Sequence, residues 1–336
     1  MDQREIDEAA MDRAIAAAAT ARLCTAPRPW VGAVVEPGGW TGATDGVAGP
    51  HAEVVALRAA GAAAAGATLY VTLEPCSHHG RTPPCVDAVL ASGVRRVVVA
   101  VTDPDERVAG RGIAALREAG LDVTVGVRAE EVADQLAPYL HHRRTGRPWV
   151  VLKLAASLDA RTAAPDGTSR WITDAAARAD AHRLRAESGA VLVGAGTVRA
   201  DDPELTVRDL PPEVAELPRG EDPLRVVVGD APAGAKVHPC LEVSGDLGAI
   251  LDDLGRRDIV QVLVEGGATT AGALLRDGLV DRVVLYYAPV VFGGDDAAPL
   301  LAGPGVATMA ALGRGRVLDV RRLGDGFRVE FEPPHP

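Results

Sequence analysis

Residues 71–85 read VTLEPCSHHGRTPPC, and residues 50–61, ahead of them, read PHAEVVALRAAG. Ala67–Leu73 is a short apolar run closed by a proline-rich segment, the pattern of a buried strand. Cys85 opens CVDAVLASG, a helical pattern stopped by Gly93, and Pro50 opens another stopped by Gly61. One strand is thus flanked by two helix starts, one bearing His51 and the other Cys85, with Cys76 at the strand's exit. An imidazole and two thiolates leave a tetrahedral zinc ion one open position, where a water loses its proton near neutral pH. The free N–H groups at a helix start favour the Cys85 thiolate. Glu53, two residues beyond His51, can stand beside that water without binding the metal, take its proton and return it later.

Outward from this core, residues 5–20 read as an Ala-rich helix and Val31–Glu36 as a strand broken by Pro-Gly-Gly. After Cys85 come strand VRRVVVAV, helix RGIAALREAG, strand LDVTVGV and one polar helix over 129–144. That helix runs into HHRRTGRP, whose basic residues, Gly146 and Pro148 mark a helix end and a boundary. A second series follows: strands WVVLKLA, AVLVG, LRVVVG, IVQVLVEGG and DRVVLYYAPVV, with helices including TDAAARADAHRLRAE and ATTAGALLRDG. GRVLDVRRLG and FRVEFEP supply two last strand candidates, and the acidic, proline-rich 208–223 reads as a surface loop. Such alternation predicts α/β layers with sheets covered on both faces.

Length supports two domains, since a single core rarely grows beyond about 250–300 residues and the chain has 336. The expected domains are 1–145 and 146–336. Aromatic residues are only 3%, so Ala, Val and Leu must build the cores. A net charge of -11 argues against nucleic-acid and anionic-membrane binding, yet a few local arginines suffice for one phosphate. No apolar run reaches the ~20 residues of a membrane span. The acidic, helical N-terminus is not that of a signal peptide, so a cytoplasmic location is expected. Of the 4 cysteines, Cys24 and Cys240 read as packing residues. His78 and His79 read as solvent or substrate contacts rather than ligands.

His-Ala-Glu followed by Pro-Cys and a further Cys is the pattern of zinc nucleobase deaminases, here with eight residues between the cysteines. This elongated loop, with PHAEVVALRAAG before it, closely resembles the bacterial bifunctional deaminase/reductases of riboflavin biosynthesis. The resemblance implies a cytidine-deaminase-like three-layer fold for the first domain. It also implies a substrate, 2,5-diamino-6-ribosylamino-4(3H)-pyrimidinone 5′-phosphate, whose C2 amino group is hydrolysed. Two departures stand out. TAPRPWVG carries Arg28 where the family has a substrate-contacting Asn, and GATDGVAGP replaces a longer segment containing Gly-Tyr-His. Arg28 is open to three uses: gripping a phosphate, gripping the pyrimidine carbonyl, or facing solvent.

The second half lacks G-x-G-x-x-G. VLVGAGTVRADDPELTVR and LVEGGATTAGALL each place glycines after a strand, a weak phosphate-binding signal on their own. Together with PWVVLKLAASLDARTA and SRWIT they are similar to the reductase half of the same family, which implies a dihydrofolate-reductase-like fold and NADPH. The likeness runs from about residue 5 to 330 and is weakest in 208–258 and at the extreme C-terminus. Carried across, Ala155, Trp171, Thr197, Asp201, Gly266 and Gly267 resemble NADPH contacts. Ser169, Arg185, Leu205, Arg208 and Glu265 resemble substrate contacts, joined by Lys153 and Asp159 near the ribose. Bidentate guanidinium groups suit a ribose 5′-phosphate; otherwise Arg185 is a solvated helix face and Arg208 a loop charge. Ala160 stands where the family often has Gly. The family tends to self-associate, so a homo-oligomer is expected. Two other readings compete: a deaminase of a related purine or pyrimidine metabolite, and a non-catalytic ligand-binding homologue.

Overall fold

The computed structural model describes residues 2–80 and 83–334. The chain divides into two compact units, Met1–Gly146 with Leu217–Gly220, and Arg147–Glu216 with Glu221–Pro336.

In the first unit α1 (Gln3–Ala19) starts at a capping box between Asp2 and Glu5. Strands β1 (Gly32–Glu36) and β2 (Trp40–Ala43) form a hairpin. Pro-Gly-Gly, expected only to end β1, turns the chain back, because Gly38 and Gly39 take φ of 132° and 66°. Then follow α2 (Ala52–Ala60), β3 (Thr68–Leu73), α3 (Cys85–Ser92), β4 (Arg96–Val101), α4 (Arg111–Glu118) and β5 (Asp122–Val125). The sheet order is β2-β1-β3-β4-β5, with β1 antiparallel to both neighbours and β3, β4 and β5 parallel. Met11, Trp30, Leu69, Tyr70, Val98 and Leu116 are fully buried in its core. The helix expected over 129–144 is two, α5 (Ala129–Gln135) and α6 (Ala137–Thr145). Pro138 lies in the first turn of α6, where its missing N–H costs nothing but cannot continue α5.

The second unit contains β6 (Trp149–Ser157), β7 (Arg161–Ala163), α7 (Ala175–Ala186), β8 (Ala190–Gly194), α8 (Ala195–Asp201), α9 (Pro212–Ala215), β9 (Leu224–Val228) and β10 (Leu241–Val243). It continues with α10 (Leu247–Arg256), β11 (Gln261–Val264), α11 (Ala268–Arg276), β12 (Arg282–Ala288), β13 (Ala298–Pro299), β14 (Arg316–Leu323) and β15 (Gly326–Glu332). Eight strands run β10-β9-β8-β11-β6-β12-β15-β14; the first six are parallel and the last two antiparallel. Alternation along the strands sorts their side chains into two cores. Val150, Leu152, Leu192, Val262 and Val264 pack on one face, and Val151, Val191, Val193 and Leu263 on the other. The stretch read as a loop over 208–223 holds the single turn α9, while β10 and α10 lie in the region where the family likeness is weakest. Among the described residues no helix is long and apolar enough to cross a membrane.

Candidate active sites

His51 is the N-cap of α2 rather than part of its first turn, with extended backbone (φ -74°, ψ 159°). Cys85 is the first residue of α3, and Cys76 follows the end of β3. The three ligand atoms all lie within 4.8 Å of one another. His51 Nδ1 is 3.0 Å from Cys85 Sγ and 3.6 Å from Cys76 Sγ, and the Cys85 N–H donates to Cys76 Sγ at 3.3 Å. One nitrogen and two sulfurs converging at these distances fit a zinc ion with its fourth position open. The Cys85 thiol, together with His51 and the Cys85 N–H, outweighs burial and holds the Cys76 thiol well below the usual thiol range. Contact with Cys76 and burial push the Cys85 thiol up. Glu53 is 3% exposed and interacts with Cys85; burial raises its carboxyl above the usual range, against the pull of His51.

Sequence reasoning passed over Glu74, which sets this geometry. Its buried carboxylate accepts from the N–H groups of Gly112 (2.9 Å), Gly110 (3.0 Å), Ile113 (3.2 Å) and Asp103 (3.2 Å), filling the start of α4, which has no side-chain cap of its own. Gly112 allows the approach, since a Cβ there would meet the Pro75 carbonyl oxygen at 1.9 Å. The segment leading into Cys76 is therefore clamped between β3 and α4. The available signal was a Glu at the exit of an apolar strand, with a helix start lacking Ser, Thr, Asp or Asn.

Arg28 is half-buried rather than facing solvent, the third of the uses open to it in sequence. Its Nη1 lies within hydrogen-bond distance of the carbonyls of Gly46 (3.2 Å), Val47 (2.9 Å) and Gly49 (3.1 Å), so it organises the shortened segment that leads to His51. His78 is half-buried and His79 exposed; Arg81 and Thr82 of the same loop lie outside the described residues.

In the second unit, β6, α7 and β11 bring Lys153, Arg185 and Glu265 together. Arg185 donates to both Glu265 oxygens, through Nε and through Nη2 at 3.0 Å, and Nη1 donates to the Thr206 carbonyl at 3.0 Å. It is no solvated helix face. Lys153 Nζ stands 3.8 Å from Glu265 and 5.9 Å from the Tyr286 ring. Burial alone would raise Glu265, but Arg185 and Lys153 prevail and hold it at about 2. Burial lowers Lys153, with Glu265 opposing. His182 joins this group: Nδ1 is 3.1 Å from the Thr206 carbonyl oxygen, and burial, then Arg185 and Arg208, press it down to about 4. Arg208 is exposed beside Glu204 and Thr206. Leu205, between those two, is buried at φ 55°.

Parallel β8 and β11 are neighbours, and both end in glycine turns at helix starts. The Gly267 N–H donates to Thr197 Oγ1 at 3.0 Å, joining the two turns. A Cβ on Gly266 would press on Thr270 at 3.1 Å. Glycine backbone at the carboxyl ends of parallel strands, at the N-terminus of α11, suits the phosphates of a dinucleotide. Asp201 closes α8, its carbonyl accepting from Arg170. Ser169 is half-buried, whereas Trp171 is 69% exposed under Arg178, 4.8 Å from its ring centre, and borders a cleft of about 270 Å³ shared with Tyr287 and Phe327. Ala155 pairs with Tyr286 across β6 and β12. Asp159 is already engaged, accepting from the N–H groups of Phe292 (3.2 Å) and Gly293 (2.8 Å) and from Ser157 Oγ (2.6 Å).

A buried carboxylate beside a His-Cys-Cys cluster, followed by a sheet with glycine turns at its carboxyl edge, defines a zinc deaminase joined to a nucleotide-dependent reductase. The profile for the cytidine and deoxycytidylate deaminase zinc-binding region matches residues 4–101, and that for the RibD C-terminal domain matches 148–327. Riboflavin biosynthesis protein RibD of Escherichia coli is 40% identical, covering 95% of this chain and 97% of its own length. The RibD structure of Acinetobacter baumannii aligns with TM-score 0.92 at 38% identity, over 99% of this chain and 100% of the other. A Thermotoga maritima diaminohydroxyphosphoribosylaminopyrimidine deaminase/5-amino-6-(5-phosphoribosylamino)uracil reductase aligns with TM-score 0.87 at 33% identity, over the same shares. The chain belongs to the RibD family. It is a bifunctional deaminase and reductase of riboflavin biosynthesis, with zinc and NADPH as cofactors.

Proposed function

We propose that residues 1–145 hydrolyse the C2 amino group of 2,5-diamino-6-ribosylamino-4(3H)-pyrimidinone 5′-phosphate and that residues 146–336 then reduce the ribosyl group to ribityl. His51, Cys76 and Cys85 hold the zinc, which when bound supplies the acidity of the attacking water. Glu53 takes the water's proton and delivers it to the ring nitrogen beside C2, then takes the proton of the new C2 hydroxyl and passes it to the amino group, which leaves as ammonia. The observation that carries this reading is the placement of Glu53, buried against the ligand cluster with its carboxyl raised by that burial.

For the second reaction NADPH supplies the hydride, which adds to C1′ of the opened imine. Gly266, Gly267, Thr197, Asp201, Trp171 and Ala155 position the cofactor, so that catalysis is chiefly a matter of alignment. Lys153, Glu265, Ser169 and Leu205 orient the sugar. Arg208, exposed, grips the phosphate, and Arg185 holds Glu265 in place beside it. The Thermotoga maritima relative, named for both reactions, supports the substrate assignment. Purified, zinc-loaded protein should release one ammonia and then oxidise one NADPH per substrate; no ammonia from this substrate would reject the reading.

The net charge of -11 supports a small phosphorylated partner over nucleic acid or an anionic membrane. Edge strand β14, with Val317 59% and Val320 60% exposed, supports a homo-oligomer, which sedimentation would test.

A further inference from the structure

Cys240 read in sequence as a packing residue, and it does touch one core of the second unit. The structure also sets it between His238 and Glu242, at the start of the edge strand β10. The imidazole nitrogen, thiol sulfur and carboxylate oxygen of these three lie within 4.8 Å of one another. His238 Nδ1 is 3.5 Å from Cys240 Sγ. Nitrogen and sulfur bound at about 2.0 and 2.3 Å to a tetrahedral zinc stand about 3.5 Å apart, so this pair already spans one edge of a coordination tetrahedron.

The histidine is also set up as a ligand from behind. Its Nε2 is 3.2 Å from the Pro232 carbonyl oxygen, to which it can only donate. That bond leaves the Nδ1 lone pair facing Cys240, as the outer-sphere carbonyl does for metal-bound histidines. The backbone beneath is fixed as well. Arg225 Nη1 donates to the carbonyls of Val237 (3.3 Å) and His238 (3.2 Å), and the His238 N–H closes a turn on Ala235. Cys240 and Glu242 are alternate residues and share a face of the strand direction. His238 and Glu242 are exposed, so an ion has direct access.

We propose that His238, Cys240 and Glu242 form a second site for a divalent zinc-type cation, separate from the deaminase centre, with one position open to solvent. The nitrogen-sulfur-oxygen donor set selects a borderline-soft ion over magnesium or calcium.

Cobalt(II) reports the site, because a thiolate on cobalt gives a near-ultraviolet charge-transfer band. The full chain is first loaded with zinc at the deaminase centre, and elemental analysis confirms that this zinc is retained throughout. Added cobalt should give a thiolate band that saturates at one further equivalent. The band should vanish in Cys240→Ser, persist in Cys24→Ser, and require about tenfold or more cobalt in His238→Ala and in Glu242→Gln. Both enzymatic activities should survive Cys240→Ser, which shows that the variant is folded. No band, a band that survives Cys240→Ser, or unchanged cobalt affinity in His238→Ala would overturn the proposal.

Discussion

Replacing Glu53 by Gln separates proton transfer from metal binding. The amide has nearly the same volume, and position 53 is 3% exposed, so packing is preserved. His51, Cys76 and Cys85 are untouched, and zinc content should remain one per deaminase centre. Burial raises the Glu53 carboxyl. A raised folded-state carboxyl contributes stability below its unfolded value and loses it as pH rises through the folded one. At neutral pH the charge is therefore a cost that Gln removes, and metal-free Glu53→Gln should melt no lower than wild type. A positioned general acid–base is worth 10²–10⁴ in rate, or about 3–5 kcal/mol of barrier. The upper end is expected, because one carboxylate serves the water, the ring nitrogen and the leaving ammonia. Ammonia release should fall about 10⁴-fold, while NADPH oxidation on pre-deaminated substrate stays at the wild-type rate. Retained ammonia release would remove Glu53 from the chemistry. Loss of zinc would make it a ligand, and loss of both activities would refute two independent sites.

Arg185→Met keeps the stem but leaves Glu265 with only Lys153 at 3.8 Å within this cluster; breaking such a pair should cost the second unit about 3–5 kcal/mol by urea unfolding. His182, held at about 4 against an ordinary 6.5, contributes stability that is present above pH 6.5 and lost as pH falls toward 4. That loss should reach about 3 kcal/mol and be absent in His182→Gln, as unfolding at pH 7 and pH 4 would show. Ala160 has φ 58°, a left-handed conformation that costs a side chain about 1–2 kcal/mol, so Ala160→Gly should raise stability by about 0.5–1 kcal/mol in the same assay after the entropy of glycine is counted. Arg28→Ala removes the donor that holds the 46–49 carbonyls and should raise the zinc dissociation constant about tenfold in a chelator competition.

The metal ligands were legible because each sits at an element boundary that sequence marks: a proline before one helix, a proline before the other, an apolar strand between them. The alternating apolar strands were legible for the same reason, since a buried parallel strand leaves a run of Val and Leu that little else produces. What escaped depended on contacts distant in sequence. Glu74 caps a helix that begins 37 residues later at Arg111, and a Glu at a strand exit does not by itself say which uncapped helix start it fills. The hold of Arg28 on the 46–49 segment was hidden because its acceptors are backbone carbonyls 18 to 21 residues away, which carry no residue-type signal. The β1–β2 hairpin was missed because WTGA is short, and the break at Pro138 because one polar, helical composition covers both α5 and α6.

The two units share a device that explains why different chemistries sit on similar scaffolds. In each, a parallel strand is followed by a helix start that carries the site: β3 is followed by Cys85 at the head of α3, and β11 by Gly267 at the head of α11. What differs is the side chain offered there. A thiol at the first position, with His51 capping the neighbouring helix, converts the helix start into a metal centre and calls for a buried carboxylate to move protons. Glycines leave the backbone uncovered by side chains, which suits phosphate oxygens, and the polar groups farther along the strand edge, Lys153 and Glu265, are those proposed to orient the sugar. Exchanging the terminal residue type alone should therefore abolish one chemistry without creating the other, since each site as proposed also relies on a distant partner: Glu53 in the first, the Arg185–Glu265 pair in the second.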